Sequence, residues 1–391
     1  MSRQIADGIV YIGADDLELD LFEGQYILPE GMAYNSYLII SDKVAIMDTA
    51  DAAVAPRWEA LLEEALAGRT PDYLVAHHME PDHAALIAKT LEKYPACTLV
   101  TSAAALKMLG QFFPGIDPKV MVIKEGDTLE LGPGKTLRFF AAPLVHWPEV
   151  MVSLLEQDGV LFSADAFGKF GALSKCGFWG DEDGDWACEA RRYYFNICGK
   201  YGVQVQKLLG KLSGLDIRII APLHGPVLRE NLAYYLDLYN TWSSYGVETP
   251  GVFVAYASMH GGTREAALKE VELLKAHGCP KVAVADLSRD DMAEAVEDAF
   301  RYGKLIVAAP TYDGGLFTPV YNFIHLLQAK GWTKRRVGLI ENGSWAPASA
   351  RIMKEMFASM KDVEVVEPAV TIKSVMKQSD IPALELLAST I

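Results

Sequence analysis

His77-His78-Met79-Glu80-Pro81-Asp82-His83 directly follows the apolar, strand-forming run Tyr73–Ala76 and precedes a helix-forming stretch from Ala84 to Lys93. Four candidate metal ligands, His78, Glu80, Asp82 and His83, fall within six residues. They stand at the carboxyl end of a strand, where sites in α/β folds are usually built. The ordinary alternative is a polar helix cap, with Asp82 or Asp72 accepting from the first turn. A cap needs one acceptor, which leaves two imidazoles and a second carboxylate unexplained.

Three more strand ends repeat the pattern. Leu144-Val145-His146-Trp147-Pro148 puts a histidine after an apolar strand, and Leu161-Phe162-Ser163-Ala164-Asp165-Ala166-Phe167 puts an aspartate after another. Ile219-Ile220-Ala221-Pro222-Leu223-His224-Gly225-Pro226 adds a further histidine. Any one alone is more often a satisfied buried polar group than a ligand, but packing gives no reason for four together. Imidazole with extra carboxylate is a hard donor set, better suited to redox iron than a thiolate site.

Around these ends the chain has the grammar of a β-rich α/β sandwich up to about the linker Ser243–Pro250. Short strands are predicted at Asn35–Ile40, Val44–Asp48, Tyr73–Ala76, Thr98–Val100, Val120–Ile123, Leu137–Ala141, Val150–Leu155, Val160–Ala164 and Ile217–Ala221. Gly turns such as Asp158-Gly159 imply hairpins. Helical patterns at Val54–Ala67, Ala84–Lys93 and Gln204–Lys211 interrupt the strands, and a helix from Leu228 to Trp242 closes this half.

After Gly251 the pattern becomes regular βαβ alternation, with strands at Val252–Tyr256, Val282–Ala285, Lys304–Ala308, Arg336–Ile340 and Val363–Val366. Helices are predicted near Glu265–His277, Met292–Tyr302, Val320–Ala329 and Ala348–Met360. Such alternation implies an open parallel, doubly wound five-stranded sheet. Domains are therefore expected at 1–248 and 249–391. Three loops fall at the carboxyl ends of these strands: Ser258-Met259-His260-Gly261-Gly262-Thr263, Pro310-Thr311-Tyr312-Asp313-Gly314-Gly315, and Asn342-Gly343-Ser344-Trp345. In flavodoxin-like sheets FMN sits at these ends. Small residues let backbone N–H groups close around a phosphate at a helix N-terminus, and Tyr312 and Trp345 are available to pack on a flat ring.

Composition narrows the possibilities. The formal net charge of −15 disfavours nucleic acid and anionic membranes as partners. Cys97, Cys176, Cys188, Cys198 and Cys279 form no C-x-x-C pair, which argues against a structural zinc, a rubredoxin module or a Cys-ligated cluster. Scattered thiols without a signal core in Met1–Val10 or a membrane span read as a cytoplasmic protein.

The motif His78-x-Glu80-x-Asp82-His83, with His146, Asp165 and His224, resembles the metallo-β-lactamase superfamily. Glu80 stands where that superfamily has a histidine, and this departure resembles the flavodiiron proteins. Tyr34-Asn35-Ser36-Tyr37-Leu38-Ile39, His146-Trp147-Pro148, Phe162-Ser163-Ala164-Asp165-Ala166-Phe167-Gly168 and Arg192-Tyr193-Tyr194 are similar to the same family. The Trp345 loop and His260 depart in detail from the family's usual flavin loops.

The resemblance implies a metallo-β-lactamase-like αββα sandwich followed by a flavodoxin-like domain, with two irons and FMN as cofactors. It implies reduction of dioxygen to water, of nitric oxide to nitrous oxide, or both. Under it, His78, Glu80 and His146 ligate one iron; His83, Asp82 and His224 surround the second; Asp165 bridges. The sequence does not divide Asp82 and Asp165 between the irons. His77 lies outside the motif, behind the ligands or at the surface. Tyr193 and Tyr194 are candidates to line the gas pocket. Some members supply a histidine from the segment matching Leu21-Phe22-Glu23-Gly24, where this chain has none, which leaves the choice of gas open. The resemblance also implies a head-to-tail homodimer, or a dimer of dimers, and an external electron donor: rubredoxin, a reduced deazaflavin or a flavin reductase.

Two other classes remain open on the residues alone. One is a dinuclear zinc hydrolase with a regulatory second domain, which Glu80 disfavours. The other is a flavoprotein electron carrier with a vestigial metal site, which the intact ligand set disfavours.

Overall fold

Strands that are apolar on both faces must be covered on both faces, and this dictates the layering of the molecule. The computed structural model describes residues 3–391; Met1 and Ser2, the first residues of the expected first domain and of the segment read for a signal core, lie outside it.

By internal packing the chain divides into two units. The first runs through Tyr194 and resumes at Val203–Asn240. It holds a seven-stranded sheet in the order Arg3–Ala6, Ile9–Tyr11, Tyr37–Ile40, Val44–Met47, Tyr73–Val75, Thr98–Ser102, Val120–Ile123. The early strands pair antiparallel and those from Val44–Met47 onward pair parallel. The second sheet runs Thr128–Gly132, Lys135–Ala141, Met151–Leu155, Val160–Phe162, Ile219–Ala221. Ile39, Val75 and Val100 of the first sheet and Leu137, Phe139 and Phe162 of the second share one apolar core. The alternating residues Val44, Ile46, Leu74 and Leu99 are equally buried on the opposite face. Helices such as Ala55–Leu66, which buries Trp58, Leu62 and Leu66 along one stripe, cover the outer faces. This is an αββα sandwich.

Tertiary pairing changed several predicted bounds. The closing helix begins at Leu232, not Leu228, because Leu228 is taken by backbone bonds in both directions with Ile220. The short strands between Arg3 and Tyr34 and the helices Ala103–Phe112 and Trp186–Ile197 were not anticipated.

The second unit comprises Phe195–Gly202 and Thr241–Ile391. Within it Phe195 stacks on Phe300 with ring centroids 4.4 Å apart, and the Tyr245 hydroxyl donates to Gly199 O at 2.9 Å. Its parallel sheet has the order Val282–Asp286, Thr249–Tyr256, Tyr302–Tyr312, Arg335–Asn342. A fifth position is shared by Val363–Val365 and Val370–Ile372, which pair with opposite ends of Arg335–Asn342. Splitting that position lets the chain return to the carboxyl end of the sheet. The helix Ile381–Thr390, absent from the sequence reading, packs against Gly262–Ala276. Among the described residues no helix is long and apolar enough to cross a membrane.

Candidate metal centre and cofactor cleft

Each metal-site side chain of the first unit leaves the end of a strand. Tyr73–Val75 delivers the motif, and Pro81 then opens a one-turn helix, Pro81–Ala84. Proline suits that position because it lacks the N–H a helix start leaves unpaired. The turn holds Asp82 and His83 close behind His78 and Glu80. His146 comes from the loop between Lys135–Ala141 and Met151–Leu155, Asp165 from the end of Val160–Phe162, and His224 from the end of Ile219–Ala221.

These residues gather into two groups: His78, Glu80, His146 and Asp165, and then Asp82, His83 and His224. In the first, Glu80 Oε2 lies 3.2 Å from His78 Nε2 and 3.1 Å from His146 Nε2. Asp165 Oδ2 lies 3.4 Å from His78 Nε2 and 3.0 Å from His146 Nε2. In the second, Asp82 Oδ2 lies 3.4 Å from His83 Nε2 and 3.3 Å from His224 Nε2. The other oxygen of Asp165, Oδ1, turns to this group, 3.3 Å from His83 Nε2. Asp165 thus offers one oxygen to each.

The donors fit two metal ions. Ligands bonded at about 2.0–2.2 Å sit roughly 3.0–3.4 Å from one another around an ion. Both oxygens of Asp82 and of Asp165 are buried without a hydrogen-bond partner, and a buried carboxylate left that way demands a cation. The field agrees. Burial disfavours a charged His78 ring, yet Asp165, Glu149 and Glu80 together hold its pKa well above the ordinary value. Burial likewise opposes charge on His146, and Asp165 and Glu80 push its pKa up to about 9. Burial opposes charge on Asp165, but His78, His146 and His83 hold it well below the usual carboxylate range. The site selects positive charge from any source.

His77 takes no part in either group. It is fully buried, with Nδ1 2.6 Å from Asp48 Oδ2 and Nε2 2.8 Å from Ser153 Oγ, so both ring nitrogens are engaged in holding the loop. The two tyrosines separate. The Tyr193 ring lies 5.7 Å from that of His224 and 5.1 Å from Phe170, whereas Tyr194 packs on Tyr239 at 5.2 Å. Successive helix residues point about 100° apart, so they face different surroundings. Phe22 closes on the His224 ring at 5.5 Å.

Sequence reasoning missed two supports. Asn35 Nδ2 donates to Pro222 O at 2.9 Å and to Gly225 O at 2.7 Å, while the Tyr37 hydroxyl donates to Pro222 O at 2.7 Å. This clamps the loop carrying His224, whose Nδ1 faces Ala33 O at 2.8 Å. Glu149 is the second, 2.8 Å from His78 Nδ1. Its only signal in the sequence is a carboxylate three positions after His146.

In the second unit a cavity of about 530 Å³ opens at the carboxyl ends of the strands. Ser258, Met259, His260, Gly262, Thr263, Pro310, Thr311, Asp313, Gly314, Asn342, Gly343, Ser344 and Trp345 line it, together with Ala346, Ser374 and Val375. Of the expected residues, Gly261, Tyr312 and Gly315 do not line it. Gly261, at φ +92°, turns the chain into the helix; Tyr312 packs edge-on against Phe317. Gly262 has to be glycine, since a Cβ there would stand 2.2 Å from Ser374 O. Among the described residues none lining it is lysine or arginine, so a phosphate placed here would depend on hydroxyls and on the N-terminal N–H groups of Gly262–Ala276. The extra wall is built by Asn342, whose Nδ2 donates to Ser374 O and whose Oδ1 accepts from Ser374 N, both at 3.0 Å.

Comparison with known proteins agrees with this geometry. A family model described as ODP family beta lactamase matches residues 32–225. "Coenzyme F420H(2) oxidase" of Methanothermobacter marburgensis is 32% identical over 322 residues, covering 80% of this chain and 78% of the relative. "Nitric oxide reductase" of Moorella thermoacetica is 28% identical over 390 residues, covering 97% and 96%. The solved rubredoxin oxygen:oxidoreductase of Desulfovibrio gigas superposes with a TM-score of 0.93 at 27% identity, covering 100% of this chain and 98% of that one.

Proposed function

Because the chain belongs to the flavodiiron protein family, whose members carry FMN and a non-haem diiron site, we propose that it is an oxidoreductase that reduces dioxygen, nitric oxide or both with electrons from an external donor. The observation that carries this reading is the pair of ligand groups joined through the two oxygens of Asp165. His78, Glu80 and His146 would hold one iron, and Asp82, His83 and His224 the other. Ser258, Gly262 and Thr263 would cradle the FMN phosphate, with the 310–314, 342–346 and 374–375 segments around the ring. When bound, FMN would supply exchange between electron pairs and single electrons, and the irons would supply the redox site for a diatomic gas.

The protein's own part is orientation and exclusion. Asn35 and Glu149 fix the directions of two histidine ligands. Phe22, Phe170 and Tyr193 make an apolar wall beside His224, which suits a small uncharged gas better than an anionic hydrolase substrate. Residues 1–248 carry the metal chemistry and 249–391 the flavin. The chain works in the cytoplasm as a head-to-tail dimer, in which the flavin of one chain serves the irons of the other, with rubredoxin or a reduced deazaflavin as donor.

Metal and flavin analysis with stopped-flow oxidation by each gas tests the proposal. Close to two irons and one FMN per chain, with rapid oxidation of the reduced protein by at least one gas, is the expected result. Zinc in place of iron, with no gas-dependent oxidation, would favour the hydrolase.

A further inference from the structure

The two ligand groups differ in what stands behind them. His78 turns Nε2 toward Glu80 and Asp165 and presents Nδ1 to Glu149 Oε1 at 2.8 Å. That same oxygen accepts the Met79 backbone N–H at 3.0 Å. Glu149 is buried, its Oε2 has no hydrogen-bond partner, and among the described residues its one ion-pair partner is His78. Its backbone is fixed in turn by the Ser102 hydroxyl, which donates to Glu149 O at 3.1 Å. The Trp147 ring packs edge-on against His78 at 5.2 Å. In the other group the supports are neutral or missing. His224 Nδ1 faces the carbonyl of Ala33, and His83 Nδ1 is buried without a hydrogen-bond partner.

Resting on the diiron reading above, we infer that Glu149 is a positioning residue that makes the two irons unequal. Its carboxylate fixes the Nδ1–H tautomer of His78 and increases the basicity of the Nε2 lone pair. It thereby favours the ferric state of the iron held by His78, Glu80 and His146 over that of the iron held by Asp82, His83 and His224. A ligand imidazole that donates its second N–H to a carboxylate is a stronger donor than one backed by a carbonyl. The fixed negative charge adds to this, because in a buried site it is screened far less than at the surface. The loop supplying His146 thus also tunes His78, through one side chain three residues farther on.

Glu149→Gln separates this role from a merely structural one. The amide oxygen can accept both N–H groups, so the loop is kept while the charge is lost. The experiment uses the full-length protein carrying both cofactors. Iron and FMN contents are measured first; the two iron potentials are then followed by redox titration with electron paramagnetic resonance. The expected result is two irons and a full complement of FMN, with one iron potential raised, the other held, and the gap between them narrowed. Both potentials unmoved, or both shifted alike, would overturn the inference. If Glu149→Gln purifies short of iron, iron(II) titration of stripped wild-type and variant proteins reads the same claim. A loss of about tenfold or more at one site supports it, and equal losses at both sites overturn it. Wild-type protein that binds fewer than two irons overturns the diiron reading itself, an outcome distinct from unmoved potentials in an iron-replete variant.

Discussion

His83 and His224 point their Nε2 atoms at each other across 3.1 Å, both rings fully enclosed. The His224 ring has its other nitrogen at the Ala33 carbonyl, so its lone pair faces His83. Two imidazole nitrogens at that separation need a cation or a proton between them. Asp82 and Asp165, each within 3.4 Å of His83 Nε2, complete the set of donors that the fold brings together here.

The bridging carboxylate should be the least replaceable member of that set. Among the described residues Asp165 is the side chain that reaches both groups, and with Asp165→Ala iron per chain should fall well below one while FMN stays bound. Iron analysis beside the flavin spectrum checks this. A variant with both irons and full gas reduction would show that Asp165 does not bridge.

Asn35→Ala should loosen the His224 loop from a distance. It deletes two donated hydrogen bonds, to Pro222 O and Gly225 O, and leaves the Tyr11 hydroxyl, 3.1 Å from Asn35 Oδ1, without its acceptor. At about 1 kcal/mol net for each bond, the first unit should lose roughly 2–3 kcal/mol, and iron content should drop with it. Thermal unfolding and metal analysis measure both. Unchanged stability would mean that Tyr37, which also bonds Pro222 O, holds the loop unaided.

Glu270 should give the second unit a pH dependence. Its carboxylate is fully buried in the helix Gly262–Ala276, neither oxygen has a hydrogen-bond partner, and burial pushes its pKa up to about 8. The folded pKa lies above the unfolded one, so the folded state binds this proton more tightly. That contribution is complete below the ordinary glutamic acid pKa and is lost as pH rises through about 8. Glu270→Gln should therefore be more stable to urea than wild type above pH 8, with an unfolding free energy higher by a few kcal/mol at most, the difference shrinking toward pH 5. Urea unfolding followed by FMN fluorescence at both pH values measures this, and parallel curves would remove Glu270 as the cause.

The proposed dimer predicts complementation. A metal-dead chain (His146→Ala with Asp165→Ala) co-expressed with a flavin-dead chain (Ser258→Ala with Thr263→Ala) should recover roughly a quarter of wild-type activity. Half of randomly formed dimers are mixed, and each of these keeps one working pair of cofactors. Inactive mixed dimers, verified as mixed, would place electron transfer within one chain.

Much of the site was legible in the sequence because ligand chemistry is particular about residue type. His78, Glu80, Asp82 and His83 have a spacing that packing does not explain, and His146, Asp165 and His224 each follow an apolar strand, where periodicity locates a strand end. The βα alternation after Gly251 likewise marked the loops that line the cofactor cleft, since strands buried on both faces are apolar throughout and their loops are not.

Tertiary structure decided what local pattern cannot carry, because side-chain direction and long-range pairing are set by the folded core. Nothing near Glu149 announces that it reaches His78, 71 positions away. Nothing near Asn35 announces Pro222 and Gly225, 187 and 190 positions away. Tyr193 and Tyr194 read alike until the packing of one helix turned the first toward His224 and the second toward Tyr239. Ser374 joined the proposed flavin cleft only because the fifth strand position is split and the chain comes back beside Asn342. The sequence by itself determined which groups could bind metal and flavin, a matter of residue chemistry at strand ends. The fold alone decided which oxygen of Asp165 faces which group and which histidine has a carboxylate behind it, because those are distances between segments that meet only when the sheets pack.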